Sequence, residues 1–302
     1  MVNIIFGFFI GTILGSLIDC IASRAVREKS FWGRSYCLKC KKTLKWYDLF
    51  PLVSYIVLKG RCRYCHGKIP LETFIIEVIS GFVTALIFYK GLSPNYFVNL
   101  SISSIQNIFP LVDTIEKIYI YCILFIVVIT DLKEGVIPNR IMYPAIFTIL
   151  IYTLFFDVLK IGFLYSSLNS TEFGRLLLPP HSDFFQRHAM IILDPLIQSF
   201  IAGVSIALFF GGVIFFTKGR GMGGGDLTLG VFIGLSLGFP NAFLALLLSF
   251  VLGSVAGTAL VIGRKKSFKQ TIPFGPFLSL GSLIGLLWGN ELIGWYLSLR
   301  SF

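Results

Sequence analysis

The sequence predicts an all-α polytopic membrane protein, with about eight transmembrane helices and one small cytoplasmic zinc-binding domain. Three observations carry that prediction. Of the 302 residues, 55% are hydrophobic and only 14% charged, with a mean hydropathy of +0.82, whereas a soluble chain carries about a quarter charged residues. Apolar runs long enough to cross a bilayer recur along the chain. The longest polar stretch near the N-terminus holds Cys37-Leu-Lys-Cys40 and, after 21 intervening residues, Cys62-Arg-Tyr-Cys65.

The apolar runs fall at about 3–22, 72–90, 115–131, 138–157, 196–217, 226–239, 241–263 and 273–297. The first has no basic segment before it and leads straight into Arg24 and Arg27. That order is the reverse of a cleavable signal, so 3–22 is read as a retained span.

Lysine and arginine set the sidedness. Twelve lie in the first loop, between Arg24 and Lys68. Lys133 and Arg140 sit in the third loop, Lys218 and Arg220 in the fifth, and Arg264, Lys265, Lys266 and Lys269 in the seventh, so 20 of 26 share one side. Lys90, Lys117, Lys160, Arg175, Arg187 and Arg300 fall on the other face or at its edge. The positive-inside rule puts the odd-numbered loops in the cytoplasm and both termini outside. The net charge of +11 is then a topology signal, with contact to anionic lipid as its second consequence. Nucleic-acid binding is set aside.

This reading divides the chain into a first transmembrane helix (1–22), a cytoplasmic domain (23–70) and a membrane core (71–302) with an outer loop at about 158–195. The cytoplasmic segment is too short to build much of a core without a staple. Two C-x2-C knuckles at this separation supply one: Cys37, Cys40, Cys62 and Cys65 form a four-thiolate site for one structural zinc per chain, with no position open for catalysis. A reducing compartment disfavours the disulfide alternative. Cys62-Arg-Tyr-Cys65-His66 also fits a haem-attachment pattern, which would leave Cys37 and Cys40 unexplained. Cys20 and Cys122 lie in apolar runs and read as packing residues. His181, Asp183, His188 and Asp194 match no metal-site spacing, and their segment is read as plain loop.

Carboxylates near hydrocarbon are costly and mark functional positions. Gly221-Met-Gly-Gly-Gly-Asp226 places one at the junction of a glycine-rich turn and an apolar run. On the predicted topology Asp131, at the inner end of the third run, shares its depth and side. Two carboxyl groups in a partly dry site cannot both ionise easily, so one keeps its proton and the pair can work as acid and base around one water. Either residue alone is also explained as an interfacial group: Asp131 beside Lys133 or Arg140, Asp226 as a helix cap. Irregular backbone next to each, the glycine run and Pro138-Asn139, favours a cavity-lining role. Glu77 is a third acid inside an apolar run. Asp19 reads as a solvated or hydrogen-bonded group at the membrane interface.

Taken together, these residues resemble the type IV prepilin peptidases, leader peptidases that are also N-methyltransferases. The resemblance runs over nearly the whole chain. It is carried by Gly15-Ser-Leu-Ile-Asp19, Arg34-Ser-Tyr-Cys37-Leu-Lys-Cys40, Trp46-Tyr-Asp48, Pro51-Leu52, Ser54-Tyr55, Gly60-Arg-Cys-Arg-Tyr-Cys65, Glu77-Val-Ile-Ser-Gly81, Asp131 with Pro138-Asn139, and Gly223-Gly-Gly-Asp226. It implies a bacterial inner-membrane enzyme that removes a short basic leader from prepilins or pseudopilins at the cytoplasmic face. The new N-terminal residue is then methylated with S-adenosylmethionine. Asp131 and Asp226 carry over as the catalytic pair and the four cysteines as zinc ligands, with Glu77 and Gly81 as candidates for the methyl-donor site. Three departures stand out: Asp19 where the family has Asn, Thr228 where it has Lys, and a long 158–195 segment. A transporter or channel using the same two aspartates as a cation or proton site is the rival from another class; it predicts inverted repeats, and none is seen. A non-catalytic assembly factor is the second rival. The oligomeric state is left open.

Overall fold

The computed structural model describes the chain except for residues 1, 29, 32, 38, 94–95, 97–107, 220, 264–272 and 300–302. The loop cations Lys29, Arg220, Arg264, Lys265, Lys266, Lys269 and Arg300 therefore lie outside the described residues. The chain divides into two compact units, Met1–Val136 and Ile137–Phe302. The described residues are helical in the main, with two isolated β-bridges.

In unit 1, α1 (Val2–Val26) packs along α3 (Leu71–Gly91), and both touch α4 (Ile108–Glu134). Between α1 and α3 lie a one-turn 3-10 helix (Trp46–Leu49) and the short α2 (Val53–Val57). A glycine stripe on α1 permits its close approach to α3. A Cβ on Gly11 would meet the Ser80 carbonyl oxygen and stand 2.8 Å from Gly81 Cα, and one on Gly15 would stand 2.8 Å from Glu77 Cα. Small residues let membrane helices gain dispersion contact where no hydrophobic force drives them together. The buried Tyr121 hydroxyl adds a tie from α4, donating to Ser80 Oγ at 2.9 Å. Phe9, Ile13 and Leu17 on the opposite side of α1 stay exposed, as a lipid-facing surface requires.

In unit 2, α5 (Asn139–Asn169), α6 (Glu172–Leu176) and α7 (Phe184–Thr217) precede the short α8 (Gly224–Leu237), followed by α9 (Asn241–Ile262) and α10 (Gly275–Leu299). Helix α8 is the hub, touching α5, α7, α9 and α10, with seven of its 14 residues buried. Its approach to α7 is backbone on backbone: a Cβ on Gly234 would lie 2.6 Å from Gly203 Cα. Gly234→Leu is therefore expected to cost at least the roughly 1–3 kcal/mol typical of overpacking. A lowered unfolding temperature in detergent checks it, with Gly162→Ala, where a Cβ meets open space, as the control.

Each of the eight expected spans coincides with a helix. Six are long and apolar enough to cross a membrane by length and composition: α1, α3, α5, α7, α9 and α10. Helix α4 has the length but carries Asp113, Glu116, Lys117 and Asp131 along it. Helix α8 is about 21 Å long at 1.5 Å per residue, short of a hydrocarbon core of about 30 Å. The expected plain loop at 158–195 is corrected: α5 runs on to Asn169 and α7 starts at Phe184, with α6 between them. The polar residues that suggested a loop are accommodated within the helices. Asp157 pairs with Lys160 at 3.5 Å, and Gln198 donates to Asp194 Oδ2 at 2.6 Å, so the helices outlast the apolar runs that mark them.

Candidate functional site

The two cysteine knuckles are the same turn built twice, 25 positions apart. In the first, Cys37 N–H donates to the Lys42 carbonyl at 2.9 Å, Lys41 N–H to the Cys37 carbonyl at 2.9 Å, and Leu44 N–H to the Ser35 carbonyl at 2.8 Å. In the second, Cys62 N–H donates to Gly67, His66 N–H to Cys62, and Ile69 N–H to Gly60, at 2.8, 2.9 and 2.8 Å. The β-bridges Tyr36–Thr43 and Arg61–Lys68 close the two turns alike, and Lys41 and His66 take the same positive φ, 59° and 53°. Each turn exposes two sulfurs on one side, and the four Sγ atoms lie within 4.8 Å of one another. Cys37 and Cys65 Sγ are 3.8 Å apart, which is about the edge of a tetrahedron with Zn–S bonds of roughly 2.3 Å. The donor set fits a metal ion.

The electrostatics of the cluster point the same way. The Cys40 N–H directed at the Cys37 sulfur outweighs desolvation and pulls that thiol down to about 6. At Cys65 the Gly67 N–H favours the thiolate, but desolvation and the neighbouring thiols prevail and push it up to about 11. Four sulfurs this close hold a shared proton inventory that a dication displaces.

One carboxylate locks the second knuckle to the 3-10 turn. Arg63 Nε donates to Asp48 Oδ1 at 2.7 Å, the Tyr64 hydroxyl to Asp48 Oδ2 at 3.0 Å, and the Lys45 N–H to the same oxygen at 3.3 Å. Burial opposes the charge, yet these donors outweigh it and hold the Asp48 carboxyl below its ordinary value. A lowered folded-state value means the contribution to stability is present above the unfolded pKa, near 3.9, and is lost as pH falls through the folded one. Arg63 is 45% exposed against 2% for Asp48, so solvent screening keeps the contribution of this pair small. Asp48→Asn is expected to speed amide exchange over residues 45–50 about fivefold at neutral pH. The gap between variant and wild type should close in acid.

A cavity of about 450 Å³ lies inside unit 1, between the last turns of α1, the knuckle module and the first turns of α3. Glu77 lines it, buried, and accepts the Leu52 N–H at 2.8 Å, tying α3 to the start of α2. Asp19 lines it too: its Oδ2 accepts from Thr73 Oγ1 at 2.9 Å, and its Oδ1 is 3.6 Å from Lys133 Nζ, which also reaches Glu72 at 3.3 Å. Gly81 does not line it. A Cβ there would meet the Phe8 ring at 2.8 Å, so this glycine serves the packing of α1 on α3. Cys20, expected to be a packing residue, lines the cavity.

The two membrane aspartates belong to different units. Asp131 is buried in the last turns of α4. Asp226 is half-buried in the first turn of α8, where its Oδ2 accepts the Gly223 N–H at 3.3 Å. Thr228, one of the three departures, donates back to the Gly225 carbonyl at 2.8 Å. Among the described residues, the four cysteines form the group arranged to hold a metal ion. His188 instead stacks on Phe184, with ring centroids 3.8 Å apart. Sequence reasoning found both knuckles but missed the cavity, which joins residues of α1, α3 and α4 that no local pattern links.

Comparison with known proteins follows this geometry. Residues 9–91 match the Bacterial Peptidase A24 N-terminal domain, a stretch that holds both knuckles, Asp19 and Glu77. A prepilin leader peptidase/N-methyltransferase of Bacillus subtilis is 28% identical over 99% of both chains. Proteins of the same description from Legionella pneumophila and Aeromonas salmonicida are 27% and 25% identical, over 90% and 88% of this chain and 78% and 75% of theirs. No solved structure matches. The likeness takes in the knuckle module and the membrane helices in one continuous chain, and over 88–99% of its length the protein is similar to prepilin leader peptidase/N-methyltransferases.

Proposed function

We propose that the chain removes the basic leader of prepilins or pseudopilins at the cytoplasmic face of the bacterial inner membrane. It does so with Asp131 and Asp226 as an acid–base pair acting on one water. The observation that carries this reading is similarity over 99% of both chains to a prepilin leader peptidase/N-methyltransferase. That span includes both aspartates as well as the cysteines. Both acids sit at helix ends beside irregular backbone, as a site meeting a transmembrane substrate at the water boundary requires. Within unit 2, Ile137, six residues after Asp131 in sequence, has its side chain against Gly225, the neighbour of Asp226. One carboxylate takes the proton of the attacking water, and the other, protonated, gives its proton to the leaving amine.

The new N-terminal residue is then methylated. S-adenosylmethionine is the donor, supplying an activated methyl group on a sulfonium. The metal of the knuckle module is one structural zinc, since four protein thiolates leave no open position. The odd-numbered loops, with this module, face the cytoplasm, and both termini face outward. Co-expression with a prepilin-like substrate tests the whole reading by mass: the product is expected to lose its leader and gain one methyl group. A substrate recovered uncut overturns it.

A further inference from the structure

We propose that the knuckle module docks on the bilayer surface: the apolar face of Trp46, Phe50, Val53, Ile56 and Val57 enters the headgroup region, with Lys45 and Lys59 on anionic phospholipid. Each of the five apolar side chains is between 52 and 75% exposed. Val53, Ile56 and Val57, at i, i+3 and i+4, share one face of α2, and Trp46 and Phe50 stand just before it. Among the described residues from 27 to 70 no aliphatic or aromatic side chain is buried, so these residues serve no core of the module. Apolar surface gathered in this way marks an interaction site.

Two contacts fix the height of this face against α3. Glu77 Oε2 accepts the Leu52 N–H at 2.8 Å, and the Tyr55 and Phe74 rings lie 4.9 Å apart with a 32° tilt. Helix α3 has 21 residues, about 32 Å at 1.5 Å per residue, which matches a hydrocarbon core of about 30 Å. Its start therefore lies at the boundary of that core, and Phe74 and Glu77 stand roughly 4–9 Å further in. Side chains lean back toward a helix N-terminus, so α2 lies beside the first two turns of α3. A helix docked in the interface sits about 5–10 Å into the headgroup–acyl boundary. Leu71 and Ile75, exposed on the same turns of α3, continue the lipid-facing surface.

Charge names the lipid. Lys45 and Lys59, both exposed, flank the apolar stretch, and Lys42 and Arg61 stand exposed beyond them. Asp48 is the one acid between Glu28 and Glu72, and it is buried and taken up by Arg63 and Tyr64. The face thus offers cations with no exposed acid among them, which suits an anionic leaflet; a basic leader peptide would meet repulsion here. Tryptophan at the rim is in keeping with its preference for the membrane–water boundary. On the sidedness proposed above, the leaflet is the inner one.

The test places a benzoylphenylalanine photoprobe at Ile56 or Val57, where exposure leaves room for it. The full-length, zinc-loaded protein is held in nanodiscs of equal parts phosphatidylglycerol and phosphatidylcholine, with the exposed Ile79 of α3 as the control position. Both probes are expected to yield phospholipid adducts by peptide mass mapping, phosphatidylglycerol several-fold in excess. Lys45→Gln together with Lys59→Gln is expected to level the two lipids while total lipid labelling persists. Adducts confined to a second copy, to other parts of the same chain or to a co-reconstituted prepilin overturn the proposal, as does the lack of any lipid adduct where Ile79 gives one. Equal labelling of the two lipids with both lysines in place overturns the anionic surface. The readout needs no turnover, so its failure leaves the peptidase and methyltransferase readings untouched.

Discussion

Asp131→Asn and Asp226→Asn are each expected to slow leader removal by about 10²- to 10⁴-fold, the usual worth of a positioned acid or base. Asparagine keeps the size of aspartate and one acceptor oxygen, so it can still receive the Gly223 N–H that now meets Asp226 Oδ2. What it loses is the ionisable proton. Each variant should therefore accumulate in the membrane at the wild-type level and keep its zinc. Because the two groups act as one unit, the double variant is expected to be little slower than either single one. The measurement is substrate processing in membranes over time, by gel shift and mass. Wild-type rates in either single variant would remove the aspartyl mechanism. Loss of cleavage in both single variants without loss of substrate binding would support it, since a transport site has no reason to control cleavage.

Why the sequence shows some of this and hides the rest is a matter of range. Helices α1, α3, α9 and α10 are written in apolar runs of nearly their own length, so their positions follow from hydropathy alone. The knuckles are equally local: Cys37 with Cys40, and Cys62 with Cys65, each lie within one turn, and spacing encodes the turn. Helix α5 outruns its apolar run because Asp157 and Lys160 satisfy each other within the helix, a pairing that composition reads as the end of a span, and in α7 Gln198 does the same for Asp194. Helix α8 looks like a span in sequence, yet its 14 residues form a buried hub. Asp19 is read correctly as a hydrogen-bonded group, but its partners Thr73 and Lys133 come from two other helices. Gly81, a motif position that the resemblance offers for the methyl-donor site, is a contact point between α1 and α3, which its sequence surroundings do not reveal.

Removing the metal should unfold the knuckle module while leaving the helices around it in place. Among the described residues from 27 to 70, the buried ones are Asp48, Gly60, Cys62 and Gly67. No buried aliphatic or aromatic side chain is among them, so the module has almost no hydrophobic core of its own. Structural zinc contributes an apparent 10–16 kcal/mol or so in isolated zinc-finger peptides, far more than the Asp48 lock can supply. Chelation, or Cys62→Ser at the most buried ligand, is expected to abolish amide protection over residues 35–69. Protection in α3 and α4 should persist, because their contacts with α1 and each other do not involve the cysteines. Cys40→Ser, at the exposed ligand, should be the mildest of the four. Metal analysis should return about one zinc per wild-type chain, and cadmium, which also accepts four thiolates, should restore protection after chelation. A Soret band from covalently held haem, or protection that survives chelation, would overturn the four-thiolate site. The module also contributes the Leu52 N–H to Glu77, so its unfolding should release the wall of the unit 1 cavity.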